Sequence, residues 1–324
     1  MTTLFLATTG GHLEQLDDIA ARIPGPGRRV WVTHANAQST SLLAGREVEF
    51  VPYVGVRALS DVARCVPHAH RVWRRAGVTR VVSTGSGIAL GYLPYLAARG
   101  VECHYVESVA RVAGPSLTGR VLDRVPGIRR YTQHEAWSGR RWRFAGSVFD
   151  SFRPCPGAPR TAGPLRVLVT VGTAAEFPFA RLVRALAPVL APGGELARRC
   201  GRPVRVLWQT GCTPVDGLGV DAVGLLPARA LAAALRDADL VISHAGAGSV
   251  LGALAAGRHP VLAVRRAREG EAGDDHQVQL AAELSRRGLA TVLDPATVTA
   301  ASLLDALQRG VHRPGTPPAF ELAS

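Results

Sequence analysis

The sequence predicts an α/β protein built from two Rossmann-like domains, each with a parallel sheet. Three observations support this fold class. The chain has 324 residues and is 47% apolar, which is enough for about two domains with separate cores. Short β-branched runs alternate with segments whose apolar residues recur at helical spacing, as in parallel sheets covered by helices. One segment rich in proline and glycine separates two halves that share this alternation.

The first half of the chain is predicted to contain buried strands separated by helices. The strands are expected at 3–8, 29–33, 48–53, 79–84 and 102–106. Between them, apolar residues recur every three or four positions, as along one face of a helix. The clearest stripes are Leu13, Leu16, Ile19 and Ile23, and then Val62, Val66, Ala69 and Trp73. This order of elements predicts a doubly wound parallel sheet.

The second half repeats the pattern. Strands are expected at 166–171, 204–209, 239–243, 260–264 and 289–293. Helices are expected near 179–190, 228–235, 248–256, 276–287 and 302–309. The second half therefore predicts another doubly wound parallel sheet.

Residues 154–164 contain four prolines and two glycines, a composition that excludes a helix or a central strand. We therefore predict an N-terminal domain at 1–153, this segment as a linker, a C-terminal domain at 165–310 and an irregular tail at 311–324. Two such domains are expected to face each other across a cleft. In open α/β sheets, ligands bind at the carboxyl ends of the strands, so the loops that follow strands are the places to look for a site.

The charge of the chain is concentrated in its first half. All 38 basic residues are arginine, and residues 1–160 carry 21 of them against 11 acidic residues. Between Arg111 and Arg153 there are nine arginines and three acidic residues. This excess predicts an anionic partner, such as a membrane surface or a pyrophosphate, although a solvated basic surface is the alternative. A nucleic-acid partner is disfavoured, because basic and aromatic residues do not interleave.

Several classes of protein are disfavoured by composition. The five cysteines include no C-x-x-C pair, which argues against a disulfide framework and a zinc site. The N-terminus does not have the pattern of a signal peptide, and the apolar stretch 88–98 is about half the length of a membrane span. We expect a cytoplasmic protein that lies peripherally on a membrane.

The first candidate motif is Thr9-Gly10-Gly11-His12-Leu13-Glu14, directly after the first predicted strand. Two glycines allow a sharp turn and a close approach of the backbone to a ligand. A histidine at such a turn has a pKa suited to general-base catalysis. The alternative is that His12 only caps the helix that follows.

Three further segments follow predicted strands or begin a helix in the second half. Ser243-His244-Ala245-Gly246-Ala247-Gly248-Ser249 combines small residues, a hydroxyl and a histidine at a strand-to-helix turn, which favours binding of a pyrophosphate. Thr170-Val171-Gly172-Thr173 offers a hydroxyl to the same phosphates. Asp274-Asp275-His276-Gln277 opens a helix, where acidic residues commonly cap the first turn.

These motifs carry a resemblance to a known family. The second half, with its segments 167–173, 177–179, 243–249 and 276–277, resembles the catalytic subunit of the two-subunit N-acetylglucosaminyltransferase that acts on dolichyl-pyrophosphate. The first half, with Gly10-Gly11-His12, the segment 83–87 and the segment 107–111, resembles its membrane-recruiting partner subunit. The chain is similar to a fusion of the two, partner half first. It also resembles the paired exopolysaccharide transferases of bacteria and glycosyltransferase family 28.

The resemblance implies a GT-B fold and an inverting, metal-independent glycosyltransferase that uses a UDP-sugar, with UDP-N-acetylglucosamine favoured. The acceptor would be lipid-linked or hydrophobic, and the enzyme would lie on the inner face of the plasma membrane. The implied donor-binding residues are Gly172, Thr173, Leu226, His244, Gly246, Ala247, Gly248, Ser249, Asp275 and Gln277. The implied acceptor-binding residues are Gly10, Gly11, Glu14, Ser86, Glu107 and Arg111, with His12 as the catalytic base.

One position departs from the family pattern. Many relatives have a glutamate eight residues after the phosphate-loop histidine, where it holds the ribose, but this chain has Gly252. Asp275, Gln277 or water would then bind the ribose. Two alternatives stay open: a natural-product glycosyltransferase with a soluble acceptor, and a UDP-sugar 2-epimerase of the same fold.

Overall fold

The computed structural model describes residues 1–55, 59–172 and 177–323, which form two compact units. Unit 1 contains residues 1–151 together with the end of the chain from residue 317. Unit 2 contains residues 152–316. Each unit is built around its own sheet and its own apolar core.

Unit 1 is a parallel sheet with helices between its strands. Its strands are β1 (Thr2–Ala7), β2 (Arg28–His34), β3 (Glu47–Val51), β4 (Arg80–Gly85), β5 (Glu102–Val106), β6 (Ile128–Thr132) and β7 (Arg143–Phe144). Its helices are α1 (Gly11–Arg22), α2 (Ala37–Leu42), α3 (Leu59–Ala76), α4 (Gly87–Ala97) and α5 (Leu117–Leu122). The strand order is β3-β2-β1-β4-β5-β6-β7.

Unit 2 begins and ends with a pair of short antiparallel strands, β8 (Arg153–Pro156) and β15 (Arg309–His312). Its parallel sheet has strands β9 (Leu165–Thr170), β10 (Val204–Gln209), β11 (Ala222–Val223), β12 (Leu240–His244), β13 (Val261–Ala263) and β14 (Thr291–Leu293). Its helices are α6 (Ala180–Leu190), α7 (Glu195–Cys200), α8 (Ala228–Asp237), α9 (Ala247–Ala255), α10 (His276–Arg286) and α11 (Ala300–Leu307). The order of the parallel strands is β11-β10-β9-β12-β13-β14.

The predicted parallel sheets are confirmed, and each predicted strand lies within two residues of an observed one. The spacing of apolar residues predicts these elements because the residues at that spacing are the ones buried in the core. Leu13, Leu16 and Ile19 of the first helical stripe are fully buried under the sheet of unit 1. The same reasoning missed β6, whose sequence Ile-Arg-Arg-Tyr-Thr places charges between its buried residues. Arg129 and Arg130 of this strand are accommodated by ion pairs with Glu102 and Asp123.

Both sheets reverse their strand order at an equivalent place. In unit 1 the reversal lies between β1 and β4, and in unit 2 it lies between β9 and β12. The connections on the two sides of such a point leave in opposite directions, which opens a crevice at the carboxyl ends of the two strands. His12 follows β1, and His244 ends β12, so both candidate histidines lie at these points.

Parts of the predicted linker and of the predicted irregular tail form strands in the structure. Residues 154–156 belong to β8, which pairs with β15 and so includes residues 311 and 312 of the predicted irregular tail. A two-stranded antiparallel ladder uses the amide of every second residue on each strand, so prolines at alternate positions are tolerated. The residues from 317 onward pack with unit 1, where Phe320 is 1% exposed and Arg22 donates to the carbonyl of Pro318 at 2.8 Å.

Candidate active site

His12 lies in the first turn of α1, directly after the Gly10-Gly11 turn that ends β1. Gly10 has a φ of 83°, a backbone conformation that favours glycine, so this position explains the turn. The side chain of Thr84 donates to the backbone carbonyl of His12 at 2.7 Å, which ties the turn to the end of β4. His12 therefore lies at the strand-order reversal of unit 1.

The hydrogen bond of Nδ1 fixes the tautomer of the His12 ring. Its Nδ1 is 2.6 Å from the backbone carbonyl oxygen of Thr84. Because a carbonyl oxygen only accepts, Nδ1 must carry the proton, and the neutral ring has its lone pair on Nε2. Gly85 lies against the same ring, since a methyl group added there would be 3.5 Å from its Cε1. A ring in this tautomer has its basic nitrogen at Nε2.

Glu14 and Gln38 form a polar pair beside the same turn. The Gln38 amide donates to Glu14 Oε1 at 2.7 Å, and its oxygen accepts from the Gly10 backbone N–H at 2.6 Å. Burial raises the pKa of Glu14 to about 7, with Gln38 opposing the rise and Asp17 adding to it. Within the described residues, Glu14 Oε2 is buried without a hydrogen bond. Such a carboxyl group can donate to an acceptor hydroxyl or accept from one at neutral pH.

Ser86 and Arg111 lie in the loops that follow the neighbouring strands β4 and β5, and both are partly exposed. Glu107 also follows β5 but is 1% exposed. Its carboxylate accepts from the Ser116 N–H at 2.9 Å, from the Ser116 hydroxyl at 3.0 Å and from the Tyr105 hydroxyl at 3.2 Å. The predicted contact of Glu107 with an acceptor does not fit this enclosure. Its carboxylate instead holds the loop in which Arg111 lies.

A buried network that the motifs did not indicate joins α1 to the loop after β5. Gln15 donates to Ser108 Oγ at 3.2 Å and accepts from the Val109 N–H at 2.8 Å. Gln133 donates to Gln15 at 3.1 Å and to the Glu107 carbonyl at 3.0 Å. These bonds position the helix that bears His12. Glutamines alone gave no signal in the sequence, because nothing there indicates their burial.

In unit 2, His244 is held between two glycines. A methyl group added at Gly172 would come within 2.8 Å of the imidazole, and one added at Gly246 within 2.3 Å of its Nε2. The ring therefore fits only because neither residue has a side chain. Gly172 follows β9, whereas His244 ends β12 and Gly246 follows it, so this contact forms at the strand-order reversal of unit 2.

Surrounding protein atoms keep the His244 ring neutral. Burial lowers its pKa to about 3, and the nearby Arg265 guanidinium lowers it further, while the Thr170 carbonyl opposes the shift. A neutral imidazole has one N–H donor and one lone pair. Helix α9 starts beside this ring, and its N-cap residue Gly246 provides no side-chain cap. The N–H groups of Ala247, Gly248 and Ser249 therefore lack helical partners. Free N–H groups at a helix start can bind an anion.

Comparisons with known proteins agree with this geometry. The family model of the glycosyltransferase family 28 C-terminal domain matches residues 166–321. The chain is 31% identical to the UDP-N-acetylglucosamine–N-acetylmuramyl-(pentapeptide) pyrophosphoryl-undecaprenol N-acetylglucosamine transferase of Ralstonia nicotianae, over 92% of this chain and 85% of that protein. The chain belongs to glycosyltransferase family 28. The protein of the same name from Cupriavidus necator is 29% identical, over 91% of this chain and 85% of that protein.

Solved structures place this glycosyltransferase in the GT-B fold. Acinetobacter baumannii MurG matches with a TM-score of 0.57 and 19% identity, over 94% of this chain and 89% of that one. The glycosyltransferase SnogD from Streptomyces nogalater matches with a TM-score of 0.55 and 20% identity, over 95% and 92% of the two chains. The GT-B fold implied by the sequence motifs is thereby confirmed.

Two more of the residues predicted to bind the donor, Asp275 and Gln277, lie at the start of α10. Gln277 is buried and its side-chain oxygen accepts from the Arg265 N–H at 3.3 Å, while Asp275 is exposed and accepts from the Ala267 N–H at 3.1 Å. Thr173 lies outside the described residues. Gly252 lies in α9, where a methyl group would be 3.3 Å from Leu235.

The loop that contains Leu226 is held by a residue that the motifs did not indicate. Gln209, at the end of β10, accepts from the Leu226 N–H at 3.0 Å and donates to the Thr170 hydroxyl at 3.0 Å. The N–H of Leu226 is therefore engaged within the protein. Leu225, its neighbour, is 66% exposed.

No group of three or more His, Cys, Asp or Glu side chains arranged to hold a metal occurs in the part of the chain that the structure describes. Within the same residues, no helix is long and apolar enough to cross a membrane.

Proposed function

We propose that this family 28 enzyme transfers a hexosyl unit, with N-acetylglucosamine favoured, from a UDP-sugar to a lipid-linked or hydrophobic acceptor, with inversion and without a metal. The observation that carries the proposal is the His12 tautomer, which leaves the Nε2 lone pair as a base at the strand-order reversal of unit 1. The anion-binding start of α9 in unit 2 supplies the complementary site for a diphosphate.

The identity of the substrates is supported by the relatives. The Ralstonia and Cupriavidus proteins are named for N-acetylglucosamine transfer from a UDP-sugar to a pyrophosphoryl-undecaprenol acceptor. We assign the same classes of donor and acceptor to this chain. The glycine at position 252 leaves the ribose to Asp275, Gln277 or water.

The proposed step forms one bond and breaks another. His12 Nε2 takes the proton of an acceptor hydroxyl, and the oxygen of that hydroxyl bonds to the anomeric carbon of the donor. The bond from that carbon to the diphosphate breaks, and the electron pair leaves with the diphosphate oxygen. Attack on the face opposite the leaving group inverts the anomeric centre. Thr84 stabilises the imidazolium that forms, because its carbonyl still accepts from Nδ1.

An exposed patch on α5 supports a membrane-bound acceptor. Leu117 is 60% exposed and Val121 is 42% exposed, and the exposed Arg120 and Arg124 lie beside them. Apolar side chains with basic neighbours are typical of peripheral binding to anionic lipid, where each arginine contributes about 1 kcal/mol.

Part of the basic excess predicted from the sequence is neutralised within the protein. Arg129 pairs with Glu102, while Arg130 and Arg141 pair with Asp123, at N–O distances of 2.8 to 3.2 Å. These arginines contribute less to a membrane surface than their number indicates. The α5 patch is therefore the better place to test membrane binding.

A transfer assay tests the proposed reaction. Purified enzyme is incubated with each of several radiolabelled nucleotide sugars and either a short polyprenyl-pyrophosphate-linked sugar or a soluble aglycone. We expect N-acetylglucosamine transfer from the UDP-sugar to the lipid-linked acceptor. Transfer to the soluble aglycone alone would favour a natural-product enzyme. Isomerisation of the donor without an acceptor would favour the 2-epimerase and contradict transfer.

Sedimentation with phosphatidylglycerol vesicles tests the membrane assignment. The double variant Arg120→Gln, Arg124→Gln should bind less than the wild type, and binding by the wild type should fall with salt. The double variant Arg184→Gln, Arg205→Gln removes the same charge from exposed positions of unit 2 and serves as control. Equal binding by both variants would remove α5 from the membrane surface.

A further inference from the structure

The residue Arg265 is a buried cation beside the start of α9. It follows β13 by two positions and is 4% exposed. Its guanidinium donates to the backbone carbonyl of Val171 and lies 5.6 Å from the centre of the Phe179 ring. Its backbone N–H donates to the side-chain oxygen of Gln277 at 3.3 Å. Arg265 is thereby fixed to the loop after β9 and to the first turn of α10.

The charge of Arg265 lacks a direct counter-charge among the described residues. Glu271 is the acidic residue whose field reaches it, but the Glu271 carboxylate is bound to Arg181 at 3.0 and 2.8 Å. Arg265 Nε is buried and makes no hydrogen bond within the same residues. Burial lowers the pKa of Arg265, yet a guanidinium stays protonated in proteins. A buried charge of this kind is strongly unfavourable unless an anion pairs with it.

The guanidinium points to the loop that holds the anion-binding groups. Val171, whose carbonyl it contacts, directly precedes Gly172, and Gly172 lies against the His244 ring. The same guanidinium is close enough to His244 to lower the pKa of that imidazole. Because His244 is neutral, it adds no positive charge. Among Gly172, His244 and Arg265, Arg265 therefore supplies the positive charge.

We propose that Arg265 binds the diphosphate of the nucleotide-sugar donor and stabilises the negative charge that develops on it as the glycosidic bond breaks. This inference rests on the proposed function, because it assumes a nucleoside diphosphate as the leaving group. The electron pair of the broken bond goes to the diphosphate oxygen, and the guanidinium offers that oxygen a charge-assisted hydrogen bond.

The variant Arg265→Met separates ligand binding from a structural role. Methionine is unbranched and apolar and reaches about as far as the Arg265 Nε, so it fills the inner part of this space and removes the charge. Replacing a buried ion by an apolar side chain is often neutral or stabilising. We expect the ligand-free variant to unfold at the temperature of the wild type or above it. By calorimetry, its affinity for UDP should fall about 10- to 100-fold, while its affinity for uridine should not change.

Two further variants complete the test. Arg265→Gln repeats the measurement with a polar side chain if Arg265→Met does not fold. Arg268→Gln removes the same charge from an exposed position three residues away and should bind UDP like the wild type. UDP affinity unchanged in either folded Arg265 variant, or lowered equally by Arg268→Gln, would overturn the inference.

The same titrations distinguish this inference from the proposed function. A wild type that transfers sugar from a UDP donor while the Arg265 variants bind UDP normally would refute only the role of Arg265. If the wild-type enzyme does not bind UDP but binds another nucleoside diphosphate through Arg265, only the proposed donor is refuted.

Discussion

Replacing His12 by asparagine separates its catalytic nitrogen from its structural one. The asparagine amide can occupy the place of Nδ1 and donate to the Thr84 carbonyl, which His12 contacts at 2.6 Å, but it has no lone pair where Nε2 lies. His12→Ala loses both groups. His12→Asn should therefore keep the stability of the wild type, whereas His12→Ala should lose about 1 kcal/mol through the missing hydrogen bond.

Both variants should lose transfer activity to a similar extent. A positioned general base contributes about 10²–10⁴-fold to the rate, equivalent to roughly 3–5 kcal/mol in the barrier. We expect kcat to fall by that factor in His12→Asn and in His12→Ala. Affinity for UDP should not change, because the anion-binding start of α9 belongs to unit 2.

The assay is single-turnover transfer from a UDP-sugar to the lipid-linked acceptor, with UDP binding measured in parallel by calorimetry. His70→Asn changes an exposed histidine of the same unit and should transfer at the rate of the wild type. Transfer by His12→Asn within a few-fold of the wild type would refute the base assignment. Loss of activity in His12→Ala with full activity in His12→Asn would make His12 a capping residue.

Three further predictions concern single residues within each unit. Gly246→Ala would place a methyl group 2.3 Å from the buried imidazole, so calorimetry should find UDP binding weaker by roughly 1–3 kcal/mol, whereas Gly139→Ala, at an open position, should bind normally. The pKa of Glu14 is about 7 in the folded protein, above its ordinary value of 4.5. The folded state therefore favours the protonated carboxyl group, and the stability that this group contributes at low pH is lost as pH rises from 4.5 through 7. Glu14→Gln should thus gain stability relative to the wild type between pH 5 and pH 8, by up to about 1.4 kcal/mol per pH unit in urea unfolding, and an unchanged difference would contradict the raised pKa. Phe320→Ala should lower the free energy of unfolding of unit 1 by about 3–5 kcal/mol, with the exposed Glu321→Ala as a neutral control in the same urea titration.

The amino-acid sequence by itself determined the class of fold, ten strands of the two parallel sheets and the two loops that bear His12 and His244. These features are local. A buried strand needs a short β-branched run, and a buried helix face needs apolar residues at helical spacing. The turn at Gly10 needs a residue that tolerates positive φ. Each requirement is met by neighbours in the chain, so it can be recognised without knowing what packs against them.

Only the tertiary structure decided what those loops can do. The Nδ1 acceptor of His12 is a carbonyl 72 residues away, and the glycine that faces His244 follows a different strand. Arg265 gave no signal, because an arginine beside a strand is ordinarily solvated, and its burial depends on the loop that follows β9. The pairing of residues 154–156 with 309–311 was hidden for the same reason. Such contacts depend on strand order and register, which join residues far apart in the chain and which local periodicity does not encode.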